Sequence, residues 1–150
     1  MKLNGIYTAL ITPYHNDYSI NEKAYAEVIN TIIEEGVHGV VVAGSTGENY
    51  TQTLEERIHL LKLSSEIIDK RVTFIAGTGG VIRTEDSIRI AQSAKSMDAD
   101  AIMISSPPYA VPTNKENAIY ATSIEQSVNL PVLLYNYPGR TSVHLSLIHI

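Results

Sequence analysis

Val37-His38-Gly39-Val40-Val41-Val42-Ala43-Gly44-Ser45-Thr46-Gly47-Glu48 is a strand and a loop in one stretch. Val40-Val41-Val42 is a continuous β-branched run, the pattern of a parallel strand buried on both faces. The loop after it pairs two glycines with two hydroxyls. Glycines let a backbone approach a ligand closely, and successive N–H groups form an anion-binding cup. The other reading of such a loop is a tight turn. It lacks the Lys-Ser/Thr pair of a Walker A loop and the spacing of GxGxxG. A small carboxylate fits it as well as a phosphate.

Strand-length apolar runs recur on either side at intervals of about 30 residues, the size of a βα unit. They are Ile6 to Ile11, Val37 to Ala43, Val72 to Ala76, Ala101 to Ile104 and Pro131 to Tyr135. Helical patterns fill the gaps. From Asn21 to Glu35, Ala24, Val28, Ile29, Ile32 and Ile33 share a face; from Leu54 to Ile68, Leu54, Ile58, Leu61 and Ile68 do. Thr53-Leu54-Glu55-Glu56 is a capping-box pattern. Thr84 is expected to cap a third helix to about Ser96, and Asn114 a fourth to about Ser127. Strict β-α alternation means a parallel sheet with right-handed crossovers.

Pattern alone leaves two α/β architectures open, a closed (β/α)₈ barrel and an open doubly wound sheet. It leans to the open sheet, because five strands complete a flavodoxin-like fold whereas a barrel needs eight strands and typically ~250 residues. Composition narrows the function. The chain is 44% hydrophobic and 18% charged, too apolar for a disordered segment. Its net charge of −5 disfavours nucleic acid and anionic membrane as partners. Cysteine is absent, which removes disulfides, thiolate zinc sites and thiol nucleophiles. A cytoplasmic location fits, with no membrane span and no signal peptide in the reading.

Two further loops stand out, both after strand ends. Ser105-Ser106-Pro107-Pro108-Tyr109 follows the fourth strand, and its prolines stiffen the loop that carries Tyr109. Tyr135-Asn136-Tyr137-Pro138-Gly139-Arg140-Thr141 follows the fifth. A tyrosine at a strand end can relay protons, and an arginine fork can grip a carboxylate. Singly, each reads as a packed or solvated rim residue; three such loops on one rim point to a site. Gly77-Thr78-Gly79-Gly80, after the third strand, has the composition of another anion site, but it reads as a close-packing turn. The five histidines show no ligand spacing, so no metal is expected, and no G-x-S-x-G elbow offers a serine nucleophile.

The motifs GSTGE, SPPY with VPT following, and YNYPGRT resemble, in order and spacing, those of the dihydrodipicolinate synthase and N-acetylneuraminate lyase superfamily. The resemblance covers residues 1 to about 145. It implies a (β/α)₈ barrel, of which residues 1–150 would supply about the first five strands and four helices as an incomplete single domain. It implies pyruvate held by its carboxylate at Ser45 and Thr46, and a proton relay of Thr46, Tyr135 and a tyrosine matching Tyr109 from a neighbouring subunit. Arg140 would hold the second substrate's carboxylate.

The chemistry implied by the resemblance needs a lysine that forms a Schiff base with pyruvate and no cofactor. That lysine is expected on a sixth strand. The lysines present, Lys2, Lys23, Lys62, Lys70, Lys95 and Lys115, fall on helix faces, helix ends or the N-terminus. The chain by itself is therefore expected to be inactive. The apolar tail, residues 145–150, reads as uninformative for function. Within the family it resembles, Arg140 after YNYPG implies condensation of pyruvate with aspartate semialdehyde, as in lysine biosynthesis. The alternatives are an aldolase for 2-keto-3-deoxy sugar acids, an N-acetylneuraminate lyase-like enzyme, and a catalytically dead binding module. The expected partners are small-molecule substrates, pyruvate and an aldehyde, and the full-length protein is expected to form a homodimer or homotetramer.

Overall fold

The computed structural model describes residues 3–145. Five parallel strands alternate with helices: β1 (Tyr7–Ala9), α1 (Glu22–Glu34), β2 (Gly39–Val42), α2 (Leu54–Ile68), β3 (Thr73–Gly77), α3 (Thr84–Ser96), β4 (Ala101–Ser105), α4 (Asn114–Val128), β5 (Val132–Tyr135) and the single-turn α5 (Pro138–Thr141). Short 3₁₀ turns occupy Ser45–Gly47 and Asn49–Thr51.

The strand order β1-β2-β3-β4-β5 decides between the two architectures. A doubly wound sheet reverses direction at a switch point; this sheet has none. Each helix packs on the next, α1 on α2, α2 on α3 and α3 on α4. That arrangement is an arc of a (β/α)₈ barrel, so the pattern's lean to the open sheet is corrected. Spacing of apolar runs cannot report strand order, because both folds use the same βα unit.

Side-chain alternation along the strands builds two apolar layers. Val40, Val42, Phe74, Ala76, Ile102 and Ile104 face the helices and meet Tyr25, Ile29, Leu60, Leu61, Ile90 and Ile124 in the main core. Val41, Ile75 and Ala101, with Tyr7, Met103 and Leu133, form a second cluster on the other face. Register keeps these side chains in rows: Val41 pairs with Ile75, Ile75 with Ala101, and Met103 with Leu133.

The helix starts follow local chemistry. Asn21 Oδ1 accepts from Ala24 N at 3.0 Å to cap α1. Thr53 and Glu56 close the expected capping box on α2. Two cap expectations are corrected. The third helix begins after Arg83 with no side-chain cap, and Thr84 lies within its first turn. The fourth is capped by Thr113, not Asn114, in a second capping box with Glu116. Thr113 wins because Glu116 stands three residues on, where its carboxylate reaches the Thr113 N–H at 2.8 Å. The strands are shorter at β1 than the apolar run Ile6 to Ile11, since Ile6 and Ile11 are exposed. The buried stripe of α2 is Arg57, Leu60, Leu61, Ser64 and Ile68, so Leu54 and Ile58 flank it.

Among the described residues no helix is long and apolar enough to cross a membrane. The tail at residues 146–150 lies outside the described residues. Leu145 is described, and its N–H donates to Asn136 Oδ1 at 3.0 Å.

Candidate active site

The loops after β2, β3, β4 and β5 gather at one end of the sheet around a cavity of about 240 Å³. Ser45, Asn49, Gly79, Ser105, Tyr135 and Arg140 are among its lining residues.

The β2 loop supplies the first wall. Ala43 takes a left-handed backbone at φ 54°, which turns the chain sharply out of the strand. Gly44 is extended, and Ser45–Gly47 then coil into a 3₁₀ turn. The first N–H groups of such a turn have no partner within it, so those of Ser45 and Thr46 are available to an anion. Gly47 is packed so closely that a Cβ there would stand 2.9 Å from the Leu10 carbonyl. Its own carbonyl accepts from Thr12 Oγ1 and from Gln52 Nε2, both at 2.8 Å. Gln52 Nε2 also reaches the Tyr14 hydroxyl at 2.9 Å. The loop after β1 is thus bound to the loop after β2.

The β3 loop, Gly77–Gly80, is a close-packing turn, as expected. A Cβ on Gly79 would overlap Ser105 Oγ, so only glycine lets the β3 and β4 loops meet. Asn49 Nδ2 bridges from the β2 loop, donating to Ala43 O at 2.9 Å and more weakly to Gly79 O at 3.4 Å.

On the far wall, Tyr135 ends β5 in register with Ser105 of β4. Its ring meets Tyr137 edge-on, with centroids 6.0 Å apart. Arg140, on α5, places its guanidinium carbon 5.8 Å from the centroid of the Tyr137 ring. Proline at the first position of α5 presets the helical φ that starts this turn. Arg140 pairs with no carboxylate among the described residues, and its five donors remain open to a ligand anion.

Three of the five residues singled out from the sequence, Ser45, Tyr135 and Arg140, therefore line one cavity. Thr46 is exposed and does not line it, although it neighbours Ser45. Tyr109 stands 95% exposed outside it, on a left-handed backbone at φ 67°. Sequence reasoning missed Asn49, which is buried among loops whose meeting no local pattern encodes. It also missed Arg57, for which a signal existed: residue 57 continues the stripe of 60, 61, 64 and 68.

A larger groove of about 840 Å³ opens at the other end of the strands, lined by Lys70, Arg71, Asp98 and Asp100 among others. Its charges compensate one another, as in the Lys70–Asp98 pair at 3.2 Å. Among the described residues no group of three or more histidines or carboxylates is placed to hold a metal ion.

Residues 2–150 match the dihydrodipicolinate synthetase family. A 4-hydroxy-tetrahydrodipicolinate synthase of Bartonella quintana is 37% identical over 96% of the chain, which covers 49% of that relative. The structure of a chloride-inhibited dihydrodipicolinate synthase from Acinetobacter baumannii, solved with pyruvate, superposes with a TM-score of 0.93 at 34% identity. The match covers 99% of this chain and 50% of that one. A Clostridium difficile protein named CdNal, solved with mannosamine, gives a TM-score of 0.95 at 27% identity over 99% of this chain and 51% of its own. The chain spans about half the length of the curated relatives it matches. With the fold and the sequence agreeing over nearly its whole extent, the chain belongs to the dihydrodipicolinate synthetase family.

Proposed function

We propose that these residues form part of the active site of a cytoplasmic, pyruvate-dependent Schiff-base lyase. Its reaction condenses pyruvate with aspartate semialdehyde, as a 4-hydroxy-tetrahydrodipicolinate synthase does. The observation that carries the reading is that Ser45, Tyr135 and Arg140 line one cavity. Pyruvate places its carboxylate on the N–H groups of Ser45 and Thr46. A lysine amine attacks its carbonyl carbon, water leaves, and loss of a methyl proton gives an enamine that attacks the aldehyde. Tyr135 passes protons in these steps together with Thr46. The Arg140 fork takes the carboxylate of the second substrate.

Tyr109 completes the relay from a neighbouring copy of the chain in a homodimer or homotetramer. Its exposure and its left-handed backbone support this role, since a bulky side chain held at positive φ is strained and such strain clusters at functional positions. Lys23, Lys62, Lys70, Lys95 and Lys115 lie on or just after helices, none at the C-terminal end of a strand. Lys2 lies outside the described residues, and the imine is assigned to a lysine other than these six.

Borohydride trapping with labelled pyruvate, read by mass spectrometry, tests the reading. Protein continued to the relatives' length gains a stable adduct, and the 150-residue chain gains none. An adduct on one of the chain's own lysines refutes the lysine assignment. The likeness to CdNal favours a second reading, a lyase or aldolase acting on keto-deoxy sugar acids. Turnover of such an acid without condensation of aspartate semialdehyde selects it. Absence of turnover and of any adduct at full length leaves a binding module.

A further inference from the structure

Arg57 lies in the first turn of α2 with 1% of its surface exposed. Its Nη2 donates to the carbonyls of Gly77 at 3.1 Å and Gly79 at 2.6 Å. Its Nε and Nη1 are buried with no partner, and no carboxylate among the described residues pairs with it. Burial pulls its pKa down to about 10, opposed by the nearby Tyr120 phenol, so the guanidinium stays charged at neutral pH. A buried, unpaired cation is costly, and an apolar side chain of similar length would fill the same space without that cost. Packing alone does not account for it.

The two carbonyls belong to the turn that walls the cavity. A trans peptide carries its N–H antiparallel to its C=O. Holding the Gly79 carbonyl on Arg57 therefore turns the Gly80 N–H the opposite way, away from Arg57, and Gly80 itself lines the cavity. That N–H makes no hydrogen bond to another described residue. Gly80 keeps φ at 81°, and a Cβ there would stand 2.9 Å from Asn49 Oδ1. The turn is thus clasped from both sides.

We propose that Arg57 is a positioning residue: it fixes the Gly77–Gly80 turn so that the Gly80 N–H joins the Ser45–Thr46 cup in recognising a carboxylate, under the field of its own unpaired charge. The inference deepens the reading of the cavity as a pyruvate site and rests on it for the ligand. The charge sits behind the wall, touches no substrate, and acts through the peptide plane it holds.

The test uses the intact protein carrying this segment, labelled with [¹⁵N]glycine and titrated with pyruvate, acetate and the neutral analogue pyruvamide. In the parent, the Gly80 amide resonance shifts with pyruvate and with acetate. Arg57→Met weakens pyruvate at least tenfold and leaves pyruvamide unchanged, and Arg57→Lys recovers part of the loss. A structural role alone would weaken both ligands alike. Equal losses for both, no loss for either, or a silent Gly80 amide in the parent overturns the proposal. Should Arg57→Met fail to fold, Arg57→Lys decides: a threefold or greater loss for pyruvate alone supports the proposal, and parity with the parent refutes it. A Gly80 response without any trapped imine refutes the Schiff-base reading and leaves the carboxylate site standing.

Discussion

Asn49 Nδ2 donates to the Ala43 carbonyl at 2.9 Å, closing the β2 loop on itself across six residues. The bond holds Ala43 in its left-handed turn, and the weaker contact to Gly79 ties in the β3 loop. Asn49→Ala leaves two buried carbonyls with less support. Losing such a buried partner costs about 1–3 kcal/mol. Denaturant unfolding is expected to show a lower midpoint at an unchanged slope, and pyruvate affinity should fall with it. A midpoint equal to the parent's would mean that the 3₁₀ turn holds itself.

Tyr135 is the proposed proton carrier at the end of β5. Tyr135→Phe keeps the ring and its edge contact with Tyr137 and removes only the hydroxyl. A general acid–base group contributes roughly 10²–10⁴-fold, and kcat should drop by that order. Steady-state assays within twofold of the parent would reduce Tyr135 to a rim residue.

Arg140 stacks near Tyr137 rather than pairing with an acid. Arg140→Ala is expected to impair use of aspartate semialdehyde by around ten- to a hundredfold, the effect of roughly 1.5–3 kcal/mol lost with a charged partner. Imine formation with pyruvate should change much less. Equal losses in the two half-reactions would assign Arg140 to the shape of the loop.

Alkaline stability is set in part by Tyr25, whose hydroxyl meets Ser64 Oγ at 2.8 Å inside the core. Burial raises its pKa from 10.0 to about 12. Below pH 10 the phenol is neutral folded or unfolded, and nothing is lost. Between about pH 10 and 12 the unfolded chain gives up the proton and the folded one keeps it, so stability falls as pH rises. Burial shifts Tyr120 the same way. Arg57, lowered to about 10, acts oppositely, because losing its proton relieves the cost of burying it. Tyr25→Phe should cost about 1 kcal/mol at pH 8 through the lost hydrogen bond. From pH 8 to pH 11 the variant should lose less stability than the parent. Parallel melting profiles across that range would place the alkaline limb elsewhere.

The five-stranded sheet has β1 at one edge and β5 at the other. Open strand edges are templates for pairing with other chains. The 150-residue polypeptide expressed alone should therefore self-associate, with a broad melting transition. Size-exclusion chromatography with light scattering reads this out. A monodisperse monomer that melts sharply would show that the arc is stable with both edges open.

The sequence by itself determined the five βα units, because burial imprints a short apolar period on strands and a helical one between them. It also marked the loops bearing Ser45, Tyr135 and Arg140, because glycine, proline and polar side chains crowd together after those strand ends. Its capping reading succeeded at Thr53, where hydroxyl and carboxylate stand three residues apart, and slipped by one residue at Asn114, where the same spacing belonged to Thr113. Only the tertiary structure decided the strand order, since a barrel arc and a doubly wound sheet share the same repeating unit. Only it revealed Asn49 and Arg57 as the clasps of the cavity wall. Their partners, the carbonyls of Ala43, Gly77 and Gly79, are backbone atoms that every residue carries. Which of them a buried side chain meets depends on how loops far apart in the chain come together.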